Sequence, residues 1–153
     1  MARKPTFGPG RYLFEESKRA YDFETQIDNF VVNSEQKMLI VMRESIDAVV
    51  NDAQTPVAKG GRMRVKTGFL RSSGAAALNM VPRGATKGDP NMVYDYSGTS
   101  VNEALARMKI GDVFYFGWTA NYARVREAYD GFLEVAVQKW QQFVNQSVGK
   151  FKK

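Results

Sequence analysis

Hydrophobic residues at helical spacing dominate the N-terminal part of the chain. Between about residues 22 and 53, apolar side chains recur every three, four or seven positions, which places them on one face of a helix. These residues are Ile27, Phe30, Val31, Met38, Val41, Val49 and Ala53. Pro56 ends the pattern, because the residue before a proline is disfavoured in helical geometry. The sequence therefore predicts a long helix, either continuous or broken at Asn33–Ser34, whose apolar face needs a sheet or a partner to cover it.

Shorter patterns follow, and they mix strands with helices. Strands are predicted over residues 69–81, 92–96 and 112–118, and the last of these is the strongest strand pattern in the chain. A serine-x-x-glutamate capping box predicts a helix over residues 100–108, and helical spacing returns over residues 132–148. This order predicts a single α+β domain spanning the whole chain. In it, an antiparallel sheet of about four strands is packed by the long N-terminal helix and a C-terminal helix.

Three further segments have compositions that disfavour regular structure. Residues 1–22 form a predicted extended arm, because prolines and glycines interrupt it while its apolar residues need a surface of this domain or of a neighbouring subunit. Residues 57–66 form a predicted basic loop, where Gly60 and Gly61 lie among four cations. Adjacent glycines favour a mobile tip, so we expect this loop to project from the body and to be ordered by a partner. Residues 149–153 form a predicted basic tail.

The charge of the chain is positive and unevenly distributed. The formal net charge is +6, which favours polyanions or acidic protein surfaces as partners. No acidic residue lies between Asp52 and Asp89. The cations in that span are Lys59, Arg62, Arg64, Lys66, Arg71, Arg83 and Lys87. This basic span is either a solvated loop or a contact surface.

The composition removes the commonest catalytic chemistry. The chain has no cysteine and no histidine, which excludes disulfides, thiolate nucleophiles, zinc sites with cysteine or histidine ligands, and a serine–histidine relay. The glycine pair of the basic loop lacks the lysine-serine/threonine of a phosphate-binding loop. The spacing pairs no two of the carboxylates Asp95, Glu103, Asp112, Glu127 and Asp130. Composition alone leaves a carboxylate-only metal or acid/base site open, but we expect no enzyme activity, no cofactor and no metal.

Apolar runs in the chain are short. None approaches the roughly 18 residues that span a bilayer, and the N-terminal residues lack the apolar stretch of a signal peptide. We expect no transmembrane helix, no membrane partner and intracellular synthesis.

Three motifs occur in a defined order along the chain. The first is Thr67-Gly68-Phe69-Leu70-Arg71-Ser72-Ser73, the second is Tyr122-Ala123 followed by Glu127, and the third is Gly131-Phe132-Leu133 with Ala136. With them, residues 23–148 resemble the tail-terminator (tail-completion or neck, head–tail joining) proteins of long-tailed bacteriophages. The corresponding family patterns are Thr-Gly-x-Leu-Arg-x-Ser, Tyr-Ala-x-x-x-Glu and a Phe-Leu start to the last helix. The chain departs from the family in the extra length of the basic loop and in the segment after the glutamate.

The resemblance implies a structural virion protein that does no chemistry. Proteins of this family form a ring, usually a hexamer, at the head-proximal end of the tail tube. The ring stops tube polymerisation and docks onto the head connector or stopper. The implied partners are further copies of the chain, the tail tube protein, the connector or stopper protein, and the genomic DNA that passes through the lumen. The implied location is the neck of the virion, after synthesis in the host cytoplasm.

Cations of the basic loop and two motif residues are the candidate subunit or partner contacts. They are Lys59, Arg62, Arg64, Lys66, Arg71 and Glu127. A guanidinium offers a planar pair of donors that a carboxylate can match with two hydrogen bonds. In the family architecture these two positions come close where neighbouring subunits meet. The resemblance therefore implies that Arg71 and Glu127 each make a fixing contact near the subunit interface, either with each other or separately; the alternative is that both are ordinary surface ions.

Two other hypotheses remain open. The chain is another neck component, such as the stopper or the adaptor, or it is a non-specific nucleic-acid-binding module. The basic span favours the second of these, whereas 16 acidic residues and the absence of an aromatic stacking motif weigh against it. An enzyme is the weakest hypothesis.

Overall fold

The structure, a computed structural model, describes the backbone of residues 9–152 and the side chains of residues 22–152. The chain divides between Met38 and Leu39 into two units. Helices and an antiparallel sheet are both present, so the protein belongs to the predicted α+β class. Within the described residues, no helix is both long and apolar enough to cross a membrane.

The long predicted helix is present as α1, which covers Pro9–Gln54. It ends before Pro56, as predicted, and it continues through Asn33–Ser34 without a break. It also begins earlier than expected. The prediction of an extended arm is wrong over residues 9–22, and residues 1–8 lie outside the described part of the chain. Proline suits the first helical position, because its φ is already helical and its missing N–H would have no partner there.

Residues 39–153 contain the remaining elements. A 3₁₀ turn at Val57–Lys59 is followed by α2 (Phe69–Ser72), β1 (Gly74–Leu78), α3 (Thr99–Arg107), β2 (Phe114–Trp118), α4 (Ala123–Asp130), α5 (Phe132–Gln138) and α6 (Trp140–Gly149). The single C-terminal helix predicted over residues 132–148 is therefore divided in two. At the boundary between α5 and α6, Lys139 Nζ donates to both carboxylate oxygens of Asp52, at 2.9 and 3.0 Å. This ion pair attaches the boundary to α1.

The sheet has two strands, and the prediction of about four is wrong. Strands β1 and β2 pair antiparallel, with Gly74 opposite Trp118 and Leu78 opposite Phe114. The pairing is continued by Asn79, whose N–H donates to the carbonyl of the residue before β2 at 2.8 Å.

Residues 92–96, predicted as a strand, have no regular structure. The reason lies in Tyr94, which packs against a loop instead of a neighbouring strand. Its backbone N–H donates to the carbonyl oxygen of Thr67 at 2.8 Å. Its ring lies edge-on to Phe69 with the centroids 5.2 Å apart. The alternating tyrosines Tyr94 and Tyr96 therefore make side-chain contacts without strand pairing.

Phe69 and Leu70 belong to the helical turn α2, so the predicted strand over residues 69–81 is wrong at its start. The hydroxyl of Ser72 donates to the carbonyl of Phe69 at 2.9 Å, and the hydroxyl of Ser73 donates to that of Leu70 at 2.7 Å. Such side-chain bonds to nearby carbonyls compete with strand formation. The chain becomes extended only from Gly74 onward.

Two clusters of buried side chains form the core of the second unit. The first consists of Met63, Phe69, Leu70, Ala120 and Phe132. The second consists of Val50, Val101 and Leu105, with Ile46, Ala76, Phe114 and Phe116 packed against it. This second cluster joins the C-terminal end of α1 and helix α3 to both strands, as predicted for the long helix.

The basic loop is anchored in the core, and the prediction that it projects as a mobile tip is wrong. Met63 is 0% exposed within the first cluster, and its carbonyl accepts the N–H of Val57 at 3.0 Å. A Cβ on Gly61 would lie 1.9 Å from the Thr55 carbonyl oxygen, so the loop backbone lies directly against the end of α1. Burying one methionine stabilises by roughly 1.5–3 kcal/mol, which outweighs the flexibility of a glycine pair.

Helix α3 begins without the predicted capping box. Gly98 occupies the N-cap position, and it has no side chain that could accept a backbone N–H of the first turn. The hydroxyl of Ser100 instead accepts the N–H of Ala76 at 3.1 Å. This serine therefore joins α3 to β1 and leaves the helix start uncapped.

A polar contact joins α6 to α1. Ser147 Oγ donates to the Glu44 carboxylate at 2.6 Å, and Lys150 Nζ donates to it at 2.9 Å. Gly149 is helical and Lys150 is bound to the body, so the predicted basic tail is wrong at its first two residues. Lys153 lies outside the described part of the chain.

This contact predicts a pH dependence of stability. The hydrogen bond from Ser147, followed by that from Lys150, holds the pKa of Glu44 below its ordinary 4.5. The folded state therefore favours the ionised carboxylate, so its stabilisation is present above pH 4.5 and is lost as the pH falls through the folded-state pKa. We expect Glu44→Gln to destabilise the protein at neutral pH and to have little effect at strongly acidic pH.

Urea unfolding of both proteins over a series of pH values measures this difference. The exposed Glu35 on the same helix provides the control, and Glu35→Gln should change stability little at any pH. A destabilisation by Glu44→Gln that stayed constant into strong acid would contradict the assignment.

Candidate functional site

The first motif lines a cleft with a positively charged lining. The cleft has a volume of about 460 Å³, and its walls are residues 64–71 and 88–90 together with Tyr122 and Arg126. Its charged residues are Arg64, Lys66, Arg71, Arg126 and Asp89. The lining therefore carries four cations and one carboxylate, together with the apolar residues Phe69 and Leu70. We call this feature the cationic cleft.

The threonine-glycine pair of the motif forms a close crossing of two backbone segments. Gly68 has a φ of +86°, in the left-handed region that favours glycine. A Cβ at this position would lie 2.1 Å from the carbonyl oxygen of Tyr94, so no other residue fits. The Thr67 carbonyl accepts the N–H of the same tyrosine at 2.8 Å. The crossing fixes one wall of the cationic cleft.

The leucine and the second serine of the motif hold α2 in the core. Leu70 is buried in the first cluster. The hydroxyl of Ser73 donates to the Leu70 carbonyl at 2.7 Å and accepts the N–H of Ala120 at 3.3 Å. Thr119 N–H donates to the Ser73 carbonyl at 3.2 Å. Ser73 therefore connects α2 to the segment that follows β2.

Arg71 connects the motif to the end of α1 through Gln54. Arg71 Nε donates to the Gln54 carbonyl at 2.8 Å, and Gln54 Nε2 donates to the Arg71 carbonyl at 3.0 Å. The buried Gln54 side chain also accepts the indole N–H of Trp118 at 3.0 Å. The guanidinium lies 5.3 Å from the centre of the Tyr96 ring, and burial raises the pKa of that phenol. Arg71 thus satisfies a carbonyl that the helix itself leaves unpaired.

This geometry predicts that lysine cannot replace arginine here. Arg71→Lys removes the Nε donor and the planar contact with Tyr96. We expect a loss of about 1–2 kcal/mol in the free energy of unfolding, measured by urea denaturation. Arg62→Lys, a matched change at an exposed position of the basic loop, should have almost no effect. Equal effects of the two changes would show that the Arg71 contacts contribute little.

Asp130 organises one edge of the cationic cleft. Its side chain is 5% exposed and accepts three bonds from Arg126, at 2.5 and 2.7 Å from Nη2 and 3.1 Å from Nε. Arg64 Nε lies 3.5 Å from the same carboxylate, although the Arg64 side chain is 75% exposed. One buried acid therefore orients two arginines, and Arg64 still presents most of its surface to solvent.

The second and third motifs form the joint between α4 and α5. Ala123 begins α4 after Tyr122, and Phe132 begins α5 with its ring buried in the first cluster. The two Glu127 carboxylate oxygens accept the backbone N–H groups of Leu133 and Glu134 at 2.8 and 2.9 Å. Glu127 therefore caps the start of α5 from the preceding helix, satisfying donors that have no partner within α5.

Removing this cap should destabilise the joint. Glutamine has one carbonyl oxygen where glutamate has two, so Glu127→Gln loses one acceptor and the negative charge at the helix N-terminus. We expect a loss of about 0.5–2 kcal/mol in the free energy of unfolding. Glu103→Gln is the control, because Glu103 lies on the exposed side of α3 and forms only a 3.5 Å pair with Arg107. A Glu127→Gln protein as stable as the control would contradict the capping role.

The structure brings together part of the predicted contact set. The members that line the cationic cleft are Arg64, Lys66 and Arg71. Lys59 and Arg62 are exposed outside its lining, and Glu127 is engaged in the cap. Among the described side chains, no ion pair joins Arg71 to Glu127. Each makes a fixing contact, and each does so within its own chain.

Sequence reasoning missed several residues of the site. Arg126 and Asp130 are separated by four positions, a spacing that brings side chains together on a helix and could have revealed their pair. Gln54 and Tyr96 had no such signal. Their roles arise from contacts with Arg71 that span many residues, and no local pattern encodes them.

Neither a metal site in the described residues nor a known relative indicates the function of the chain. No group of three or more carboxylates that could hold a metal ion occurs in residues 22–152. Comparison of the chain with family models, with curated proteins and with solved structures finds no match.

Proposed function

We propose that the chain is a structural subunit of the bacteriophage neck, which forms a ring that terminates the tail tube and joins it to the head connector. One observation carries this proposal: a helical face of α1 is apolar and exposed. Phe23, Phe30 and Met38 are 65%, 70% and 60% exposed, and Ile27 and Val31 continue the same face. Contiguous apolar surface marks an interaction site, so this subunit has a surface suited to assembly.

The three motifs support the part of the proposal that rests on resemblance. Gly68 permits a backbone crossing, Arg71 binds the end of α1, and Glu127 caps α5. These residues are far apart in the sequence, and each of them connects elements of the same fold. This gives the family-like pattern a physical basis in the chain itself.

A ring places a specific demand on its subunit. Each copy must present two different surfaces that fit each other, so that the contact repeats and closes by rotation. The chain offers two surfaces of unlike character, the apolar face of α1 and the cationic cleft. In the proposed ring, usually a hexamer in this family, the tail tube protein and the connector or stopper are the axial partners. Genomic DNA passes through the lumen.

Electron cryomicroscopy of virions assembled with this chain tests the proposal. The expected result is a ring of copies between the tail tube and the head connector. Density for the chain one layer nearer the portal would assign it to the stopper or adaptor instead. Absence of the chain from mature particles would overturn the proposal.

A non-specific nucleic-acid-binding module is the second candidate, and the cationic cleft favours it. The exposed cations Arg64 and Lys66 offer phosphate contacts, and Tyr122, which is 39% exposed, offers a stacking surface. Gel shifts with random duplex and single-stranded DNA at low and moderate salt distinguish the two functions. Weak binding lost at moderate salt fits a ring through which DNA passes, whereas tight binding that survives would favour the second candidate.

A further inference from the structure

We propose that the stretch of α1 between Asp22 and Met38 of one copy docks in the cationic cleft of a neighbouring copy. The inference rests on the proposed ring and names the contact that builds it. Its occupant is a second copy of this chain, recognised as an acidic helix with an apolar face.

The helix presents a regular apolar stripe. Phe23, Ile27 and Phe30 follow one another at intervals of four and three residues, which keeps them on one face. Val31 and Met38 extend the same face. All five are exposed in the structure, so the stripe is available to a partner over more than four helical turns. Phe30, with 70% of its surface exposed, is its most prominent member.

Carboxylates follow one edge of this stripe. Glu24, Asp28 and Glu35 are separated by four and seven residues, so they form a row beside the apolar residues. Residues 22–38 contain four acids and one lysine, a net charge of −3 (1 − 4), within a chain whose net charge is +6. The exposed apolar face therefore belongs to an acidic segment of a basic protein.

The cationic cleft has the complementary composition. Its lining includes Phe69 and Tyr122 and four cations. Of these, Arg64 and Lys66 are exposed to a partner, whereas Arg126 is paired with Asp130 and Arg71 with the Gln54 carbonyl. The volume of about 460 Å³ falls in the range of roughly 300–1,000 Å³ that accepts bulky ligand groups. It admits aromatic side chains from a helix that lies across its mouth. A helix that inserts apolar anchors while its flanking charges meet opposite charges is a recurrent mode of recognition.

Antiparallel pairing of this face with itself is disfavoured. Two antiparallel copies would place their rows of carboxylates on the same side of the contact, and like charges across an interface oppose association. Docking of the acidic helix in the cationic cleft joins opposite charges. It also uses two different surfaces, which makes the contact heterologous and able to close into a ring.

Cross-linking of the full-length chain tests the contact directly. Because the chain contains no cysteine, single cysteines can be placed without background. Ser34 lies on the stripe and Val65 lines the cationic cleft, so Ser34→Cys and Val65→Cys report on docking and leave the charges intact. One variant is isotopically labelled, the two are mixed, and a short bis-maleimide links them. Val93→Cys, an exposed position outside the cleft lining, replaces Val65→Cys in the control.

A docked pair is held at an effective concentration of the order of millimolar. At micromolar protein concentration, the yield of the cross-linked dimer between the Ser34→Cys and Val65→Cys chains should therefore be at least about ten times that of the control dimer. The control dimer joins the Ser34→Cys and Val93→Cys chains. Equal yields, or a dominant product between two Ser34→Cys chains, would overturn the docking proposal.

Charge reversal provides an independent test. Asp28→Lys with Glu35→Lys should weaken self-association about tenfold or more, and Lys66→Glu should do the same, as expected for like charges in an interface. Combining all three changes in one chain should restore much of the association. Glu103→Lys, an exposed reversal on α3, is the control and should leave association unchanged. Failure of the combined variant to recover, with its helical content intact by circular dichroism, would overturn the pairing.

The unchanged chain separates this inference from the proposed function. If it assembles while the cross-link and the rescue both fail, the ring stands and the docking contact is wrong. If it remains monomeric alone and with tail tube protein, the proposed ring itself fails, and the docking contact fails with it.

Discussion

Replacing Phe132 with alanine should lower the free energy of unfolding by about 3–5 kcal/mol. Phe132 is 2% exposed and belongs to the first core cluster with Met63 and Leu70. Its ring lies edge-on to Trp118 with the centroids 4.8 Å apart. The substitution removes this contact and leaves a cavity at the start of α5. Urea denaturation monitored by tryptophan fluorescence and by circular dichroism measures the loss.

Tyr129→Ala is the matched control for this prediction. Tyr129 is also aromatic and lies three residues earlier, but it is 80% exposed. Its truncation should change stability by no more than about 0.5 kcal/mol. Comparable losses at the two positions would show that the first cluster is not the core of the fold.

Met63→Ala should cost about 2–5 kcal/mol, because the side chain is completely buried. This is a large effect for a residue in a glycine-rich basic loop. The physical reason is that the loop contributes its one methionine to the first cluster, together with Phe69 and Phe132. Thermal and urea unfolding of the variant measure the loss.

Val65→Ala serves as the comparison, since Val65 lies two residues away and is half-exposed. It should have a much smaller effect. If both changes were equally mild, the loop would project from the body, and its anchoring in the core would be wrong.

Elements with a strong local pattern were predictable from the sequence. The helical face ending before Pro56, the strand at residues 114–118 and the helix start at Phe132 all appear in the structure. Each depends on periodicity or on a proline, which act within a few residues. Helical spacing also predicted an apolar face on α1. However, the α1 residues of the second core cluster, Ile46 and Val50, were not among those predicted, and the start at Pro9 was missed.

Elements decided by distant contacts were not predictable. Residues 92–96 alternate like a strand, but Tyr94 bonds Thr67 and packs on Phe69. Met63 lies among glycines and cations, yet its side chain fills the first cluster. Local composition reflects only the residues next to a position in the sequence. When residues far along the chain bury a side chain, that burial decides the structure of the segment against its local pattern.

The candidate site divides in the same way. The motif around Gly68 and Arg71 was recognisable, and its residues do form one wall of a cleft. The roles of Arg71 and Glu127 inside the chain were not recognisable, because their partners are a helix-end carbonyl and two backbone N–H groups. The sequence does not show which backbone groups a side chain will bond. Of the two alternatives, a contact with each other or separate contacts, the structure has the second.

Light scattering of the purified full-length chain tests the central claim most directly. The mass is measured over a range of protein concentrations, alone and with tail tube protein. A ring-forming subunit predicts a discrete species near six times the chain mass of 17.2 kDa, with no larger polymer as the concentration rises. A mass that stays at 17.2 kDa under every condition would contradict the assignment of this chain as a ring subunit.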